Sequence, residues 1–375
     1  MTDWYCPLPF KHAFVDSTGV AVCCKTPRQS IDLDQWGQSK YVKQIQNQML
    51  TGQVPDICQS CVSEEKMTGR SLRTDTLQDY NHQRFVETDI DFVDYRANNI
   101  CNFKCRSCAP VFSHSINNEI KNNPILQKFN QSTDKKIVRI NDANTEWIGQ
   151  NLKQIKRLML TGGEPTRMSE IRHIVEQIAY DKLDTQILIT SNASFEDDFW
   201  YELTRLHDNL HWTVSLDAVG AAAEIIRKGT DWKVVEKNTR WLASHASSMN
   251  VNTTITHLNI LQLGPLLQFV KELQQESVYP KGRHGVQGLR HQFIITPNPP
   301  QLSVDCLPPD LRTKAVAHLK NCLELNLDLE QKQTIVGLLT HLKHVKFNSS
   351  QWQRSLEFNQ ELDRIRGENY MELYD

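Results

Sequence analysis

Leu158-Met159-Leu160-Thr161-Gly162-Gly163-Glu164-Pro165 is the stretch that decides the fold. Three apolar residues run into a two-glycine turn, a carboxylate and a proline, and a helix-period stretch follows at 168–179. A short apolar run bounded by turn residues reads as a buried strand, and with the helix after it forms one β-α unit. The unit recurs on both sides. Apolar, β-branched runs stand at 90–95, 186–190, 212–216, 252–255 and 292–296, with helix-period stretches at 195–207, 232–246 and 263–275. Repeated β-α units predict an α/β protein with a parallel sheet and helices outside it. Six units are too few for a closed eight-stranded barrel and predict an open or partial one. In both architectures ligands gather at the carboxyl ends of the strands. Chemistry-bearing residues stand there: Cys101, Cys105 and Cys108 after the first strand, 161–165 after the second, Ser191-Asn192 after the third, and Ser215 and Asp217 at the fourth.

The rest of the chain sets bounds on this picture. Its 375 residues carry a net charge of −2. That balance excludes a general polyelectrolyte partner such as DNA. The opening MTDWYCPLPFKHAF lacks a basic region followed by an apolar one, and no run approaches the roughly 18 apolar residues of a membrane span. The expectation is a cytoplasmic chain with no membrane partner. Residues 110–150 are polar and Asn-rich and interrupt the alternation. Residues 305–375 read as helical, without chemistry of their own.

Ten cysteines in such a chain point to metal or catalysis more than to disulfides. Five lie early, at Cys6, Cys23, Cys24, Cys58 and Cys61. Three form the group 101–108. Cys306 and Cys322 stand alone and read as small buried hydrophobes. Thiolates are soft ligands suited to iron–sulfur clusters or zinc. Three close thiolates can hold three irons of a cubane cluster and leave the fourth open to an amino acid's amino and carboxylate groups. A zinc site, or an electron carrier with a distant fourth cysteine, stays open on the triad alone.

Together the motifs resemble a known superfamily. Ile100-Cys101-Asn102-Phe103-Lys104-Cys105-Arg106-Ser107-Cys108 resembles the CxxxCxxC signature of radical S-adenosylmethionine enzymes, and Gly162-Gly163-Glu164-Pro165 resembles their GGEP turn. The residue types suit the task. Glycines let backbone approach a ligand, Glu164 offers acceptors to an ammonium, and Pro165 stiffens the turn. The resemblance extends to Asn192, to Ser215 and Asp217 near the ribose hydroxyls, and to Arg227 as a partner for the methionine carboxylate. One position departs from the pattern. Relatives carry an aromatic residue just before the third cysteine, and here it is Ser107, which has no ring to stack on adenine.

Cys6-x12-Gly19-x4-Cys24 resembles the start of a SPASM/twitch auxiliary-cluster motif, and Cys58-x2-Cys61 supplies a second pair. The segment 15–22 reads as a hairpin turning at Thr18-Gly19. Cys23 competes with Cys24, because neighbouring strand side chains point to opposite faces; the spacing favours Cys24. A structural zinc site with four cysteine ligands is the competing reading. Glu64, Gly69, Ser71 and Arg73 read as the connection onward.

The resemblance implies a partial (β/α)6, TIM-like barrel at 88–300, preceded by a small auxiliary iron–sulfur domain at 1–75 and followed by a helical C-terminal extension at 301–375. It implies two [4Fe–4S] clusters, S-adenosylmethionine, and reduced flavodoxin or ferredoxin as electron donor. The implied reaction is hydrogen abstraction by a 5′-deoxyadenosyl radical from a peptide or protein side chain. A sugar, nucleoside or other small molecule is the alternative substrate. A non-catalytic iron–sulfur or zinc protein that binds a partner is the alternative of another class. No residue is singled out as catalytic beyond these binding positions.

Overall fold

The computed structural model describes residues 4–130, 138–277, 289–295 and 299–375. Thr296, the expected end of the last strand, and 131–137 of the polar stretch lie outside the described residues. The chain is a mixed α/β protein. Ten strands are described: β1 (His12–Asp16), β2 (Gly19–Ala21), β3 (Phe92–Tyr95), β4 (Lys104–Cys105), β5 (Arg157–Leu160), β6 (Gln186–Ser191), β7 (Leu210–Ser215), β8 (Arg227–Lys228), β9 (Ser248–Ile255) and β10 (Arg290–Ile295). β4 and β8 pair with each other, and the other eight are strands of a mainly parallel sheet. Two compact units divide the chain, Met1–Asn99 with Ile137–Leu188, and Ile100–Lys136 with Ile189–Asp375.

In the first unit β3 pairs in parallel with β5, setting Tyr95 opposite Leu160. On its other side β3 pairs in parallel with β1, with His12 opposite Phe92 and Val15 opposite Tyr95. β2 folds back antiparallel on β1, as the hairpin reading expects, but Gly19 pairs with Asp16, so the turn is Ser17-Thr18 rather than Thr18-Gly19. The alternation read from sequence begins at 90–95, so β1 is an addition to it. Its residues His12, Ala13, Phe14 and Val15 are all buried, which removes the period-2 signal that marks a half-exposed strand. The helix Ser169–Tyr180 buries Ile171, Ile174, Val175 and Ile178, one apolar stripe at helical spacing. Each such side chain contributes roughly 1.5–3 kcal/mol on burial.

In the second unit β7 pairs in parallel with β9, and β9 with β10. Leu210, Trp212 and Val214 are buried at alternate positions of β7. The helices Asp198–Leu206, Trp232–His245 and Leu263–Glu276 fall where the helical periodicity predicts them. Asp231 accepts from the Lys233 and Val234 N–H groups and so caps the second of these, satisfying donors that a helix start leaves without partners. The C-terminal part is helical, at Pro309–Cys322, Leu329–His344 and Ser349–Arg366, and ends in a 3-10 turn at Tyr370–Tyr374. Cys306 and Cys322 are buried there.

Candidate active site

The triad loop belongs to the second unit. Cys105 lies on β4, whose whole pairing is Lys104 opposite Lys228 and Cys105 opposite Arg227 on β8. The strands meet closely because Gly229 has no side chain. Its φ is +102°, and a Cβ there would stand 2.8 Å from the Asn102 carbonyl oxygen. Past the ribbon, the Arg106 N–H donates to the Ile226 carbonyl (2.9 Å), and the Cys108 N–H to that of Cys105 (3.0 Å). Helix His114–Lys121 closes the loop from behind. Its cap Ser113 accepts from the Ile116 N–H and donates to the Phe103 carbonyl at 2.9 Å. Ser115 donates to the Cys101 carbonyl at 2.9 Å. The Cys101 N–H reaches His114 Nδ1 at 3.2 Å.

Several predicted residues converge on this loop. Arg227 donates from Nε to Asp217 Oδ2 (2.8 Å), and its Nη1 lies 3.9 Å from Cys105 Sγ. Asp217 Oδ1 in turn accepts from the Thr254 N–H of β9 at 2.9 Å. Asn192 Nδ2 donates to Asn102 Oδ1 at 3.0 Å, inside the triad loop. Asn192 also accepts from the N–H and hydroxyl of Ser194, so its side chain orders its own turn as well as the loop. Ser215 ends β7 opposite Asn252. Burial pushes the Cys105 thiol up, with Arg227 pulling it back down. Burial and then the neighbouring Cys105 push Cys108 up to about 12. Half-buried thiols beside a guanidinium are a donor set that a cluster's charge would suit: thiolate ligation removes the protons that burial retains, and Arg227 balances the negative charge.

The glycine turn belongs to the first unit. Gly162 has φ +119°, and a Cβ on it would stand 2.9 Å from the Asn98 carbonyl oxygen. The next residue, Gly163, donates its N–H to that carbonyl at 3.3 Å. Thr161 Oγ1 donates to Asp94 Oδ1 at 3.3 Å. Burial pushes the Asp94 carboxyl up to about 6, against the pull of Arg96. Glu164 is buried and caps the 3-10 turn Pro165–Arg167, its Oε1 accepting from the Thr166 N–H (3.2 Å) and hydroxyl (2.8 Å).

The N-terminal thiols also lie in the first unit. Cys6, Cys23, Cys58 and Cys61 line one apolar cavity together with Trp4 and Arg73. Burial pushes Cys6 up beyond the ordinary thiol range, Cys23 to about 11 and Cys58 to about 12, and the three act on one another electrostatically. Cys24 does not line the cavity. It is exposed, and its charged neighbours are Asp94, Arg96, Lys25 and Arg28. A tight turn makes the selection. The Thr26 N–H and hydroxyl donate to the Cys23 carbonyl at 3.1 and 3.0 Å, and Thr26 Oγ1 accepts from the Cys23 N–H at 3.3 Å. Trp4 Nε1 is buried with no hydrogen-bond partner. An orphaned N–H beside four thiols fits an iron–sulfur cluster, whose sulfides accept hydrogen bonds. Among the described residues no three His, Cys, Asp or Glu side chains converge tightly enough to hold a single metal ion. Of the residues read as the onward connection, Ser71 caps the helix Leu72–Asp79, while Arg73 donates to the Tyr5 carbonyl at 3.0 Å and stacks over the Trp4 ring.

Neither a family model nor a curated relative matches the chain. Among solved structures, a polyhistidine-tagged anSMEcpe with bound AdoMet is similar over 61% of this chain and 55% of that one, at 17% identity and a TM-score of 0.39. SuiB of Streptococcus suis is similar over 90% of this chain and 69% of that one, at 15% identity and a TM-score of 0.38. TYW1 with a lysine–pyruvate adduct bound is similar over 61% and 73%, at 13% identity and a TM-score of 0.30. The chain spans little more than half the length of that anSMEcpe structure. These are partial likenesses at low identity.

Three residues of these sites escape sequence reading. Asn102 links the triad loop to Asn192, Trp4 lines the thiol cavity and has an unpartnered N–H, and Arg106 is buried between two cysteines. Only Asn102 carries a signal, as a side chain with both donor and acceptor placed between ligands.

Proposed function

We propose that the chain is a radical S-adenosylmethionine enzyme, with Cys101, Cys105 and Cys108 holding a [4Fe–4S] cluster. The observation that carries the reading is the Asp217–Arg227–Cys105 arrangement, a charge-balanced guanidinium beside a half-buried thiol of the triad. When bound, the cluster supplies one electron to the sulfonium of S-adenosylmethionine, breaking its C5′–S bond to give methionine and a 5′-deoxyadenosyl radical.

The chain's own residues bind and orient. Gly162 and Gly163 bring backbone close to the methionine end, Glu164 receives its ammonium, and Pro165 stiffens the turn. Asn192, Ser215 and Asp217 order the ribose side. Arg227 faces the cluster thiolates and the methionine carboxylate, restrained by Asp217. Residues 88–300 form the partial barrel that carries this chemistry. Residues 1–75 carry a second [4Fe–4S] cluster on Cys6, Cys58, Cys61 and one of Cys23 and Cys24. The cavity lining favours Cys23. Residues 301–375 are a helical extension. The substrate is a peptide or protein side chain, the electron donor a reduced flavodoxin or ferredoxin, and the setting the cytoplasm.

Anaerobic reconstitution tests the reading. About eight iron and eight sulfide per chain fits two cubanes, whereas about two zinc without sulfide fits a scaffold protein. Reduction with S-adenosylmethionine present is expected to yield 5′-deoxyadenosine in the wild type and none in Cys105→Ala. A wild type that forms no 5′-deoxyadenosine, or a Cys105→Ala that still does, rejects it.

A further inference from the structure

Arg106 stands between two triad cysteines, yet only 1% of it is exposed. Its side chain reaches back to the far end of the chain. Nε donates to the Ile225 carbonyl at 3.1 Å. Nη1 donates to the Asn359 carbonyl (3.3 Å) and to Asn359 Oδ1 (3.2 Å). Nη2 donates to Asp363 and, at 2.9 Å, to Glu368. All five N–H directions of the guanidinium are thereby engaged.

The acidic residues at the C-terminus are shared out among the cations that flank Cys105. The second oxygen of Glu368 takes Lys228 at 2.8 Å, the residue after Arg227 on β8. Asp363 Oδ2 accepts from the Tyr370 N–H at 3.0 Å, which ties the final 3-10 turn to the same carboxylate. Arg366 pairs with Glu119 at 2.6 Å, and both are nearly inaccessible to solvent. Glu119 lies on the helix behind the triad loop and is 3.8 Å from Lys104. So both residues that follow Cys105 and Arg227 in sequence are held by carboxylates near the end of the chain.

A two-residue ribbon has little pairing of its own to fix a cysteine in space. A buried guanidinium with two carboxylates is a far more directional restraint than a surface ion pair, and removing one partner from such a pair is strongly disfavoured. We infer that the C-terminal helix and turn clamp the triad loop through Arg106, and that Arg106 is a positioning residue for Cys105 and Cys108. This rests on the proposed function, since it gives the clamp a cluster to position. It assigns a task to the C-terminal segment, whose sequence carries no chemistry of its own.

The experiment compares reconstituted wild type with Arg106→Lys, Glu368→Gln and, as a control, Glu357→Gln, whose surface pair with Lys128 touches none of the loop. The readouts are iron and sulfide per chain, the electron paramagnetic resonance spectrum of the reduced protein with and without S-adenosylmethionine, and far-ultraviolet circular dichroism. Arg106→Lys is expected to keep its helical content but retain only about four of about eight irons, and to lose the spectral change on adding S-adenosylmethionine. Glu368→Gln is expected to keep its iron and to show a broadened triad spectrum with a weakened response to S-adenosylmethionine. Glu357→Gln is expected to match wild type. If Arg106→Lys does not fold, Glu368→Gln decides by the same readings. Folded variants with wild-type iron and an unaltered spectral response overturn the clamp. A wild type that takes up no iron and sulfide fails differently, removing the functional reading and with it the clamp's role.

Discussion

Arg227 donates from Nε to Asp217 Oδ2 at 2.8 Å, and the aspartate is almost wholly shut off from solvent. The pair links the end of β7 to β8, and through β8 to Cys105. A buried pair adds little net stability over a well-packed apolar substitute, but removing one partner strands the other charge at a cost of about 3–5 kcal/mol. Asp217→Ala also strips the acceptor from the Thr254 N–H. It is expected to lower the unfolding free energy by about 3 kcal/mol, read from the urea midpoint at constant slope. The double variant Asp217→Ala/Arg227→Met is expected to regain part of that loss. An Asp217→Ala midpoint equal to wild type would falsify this account.

Cys23 and Cys24 are adjacent, and one of them lines the N-terminal cavity. Cys23→Ala is expected to hold about four of about eight irons, with the triad cluster left in place. Cys24→Ala is expected to hold the full complement. Iron and sulfide analysis of the two reconstituted variants gives the answer, and the reverse result would return the ligand to Cys24.

The contrast between these neighbours shows what sequence can and cannot reveal. The motif spacing favours Cys24, but which thiol faces inward is decided by the turn that Thr26 closes on Cys23, a local geometry with no pattern of its own. The β-α alternation was legible because burial along β6 and β7 follows period 2 and the helices between follow period 3.6. β1 was not legible as a sheet strand, since four consecutive buried residues carry no alternation and its parallel partner lies some eighty residues away. The triad and the glycine turn could be read because ligand chemistry restricts residue type. Arg106 could not, because its partners Asn359, Asp363 and Glu368 lie more than 250 residues downstream.

Three buried histidines, His12, His257 and His291, give stability a pH dependence. Burial holds His12 down to about 4, against the Val22 carbonyl. Burial holds His257 down to about 3; the Gln301 carbonyl opposes this and the Arg106 guanidinium reinforces it. Burial alone holds His291 down to about 3. His257 Nε2 lies 3.1 Å from the Gln301 carbonyl and 2.8 Å from the Ser355 hydroxyl, and Nδ1 faces the Tyr374 hydroxyl. In the unfolded chain all three rings protonate near pH 6.5. Between about pH 6.5 and 3 the unfolded state therefore binds more protons, and stability falls as pH drops, by up to about 1.4 kcal/mol per unit for each ring. The contribution is complete above about pH 6.5. His257→Gln is expected to flatten the fall in urea midpoint between about pH 6.5 and 5 by roughly a third of the three-ring effect. A slope identical to wild type would show that His257 does not contribute.

Gly162 closes the turn after β5 with φ +119°, where an added Cβ would point at the Asn98 carbonyl. Alanine there meets two costs. A non-glycine residue in that backbone region is strained by about 1–3 kcal/mol, and its Cβ would lie 2.9 Å from a backbone oxygen that cannot swing away as a side chain tip would. The adjustment falls on the turn itself, because Gly163 and Asn98 are joined by a backbone hydrogen bond at 3.3 Å. Glu164 is the next residue, so its carboxylate moves with the turn. Gly162→Ala is expected to keep its full iron content while binding S-adenosylmethionine about tenfold more weakly, the equivalent of about 1.4 kcal/mol. Anaerobic titration calorimetry measures the affinity, and iron analysis of the same sample separates loss of cofactor binding from loss of the cluster. An unchanged dissociation constant at full iron content would mean that the turn does not touch the cofactor.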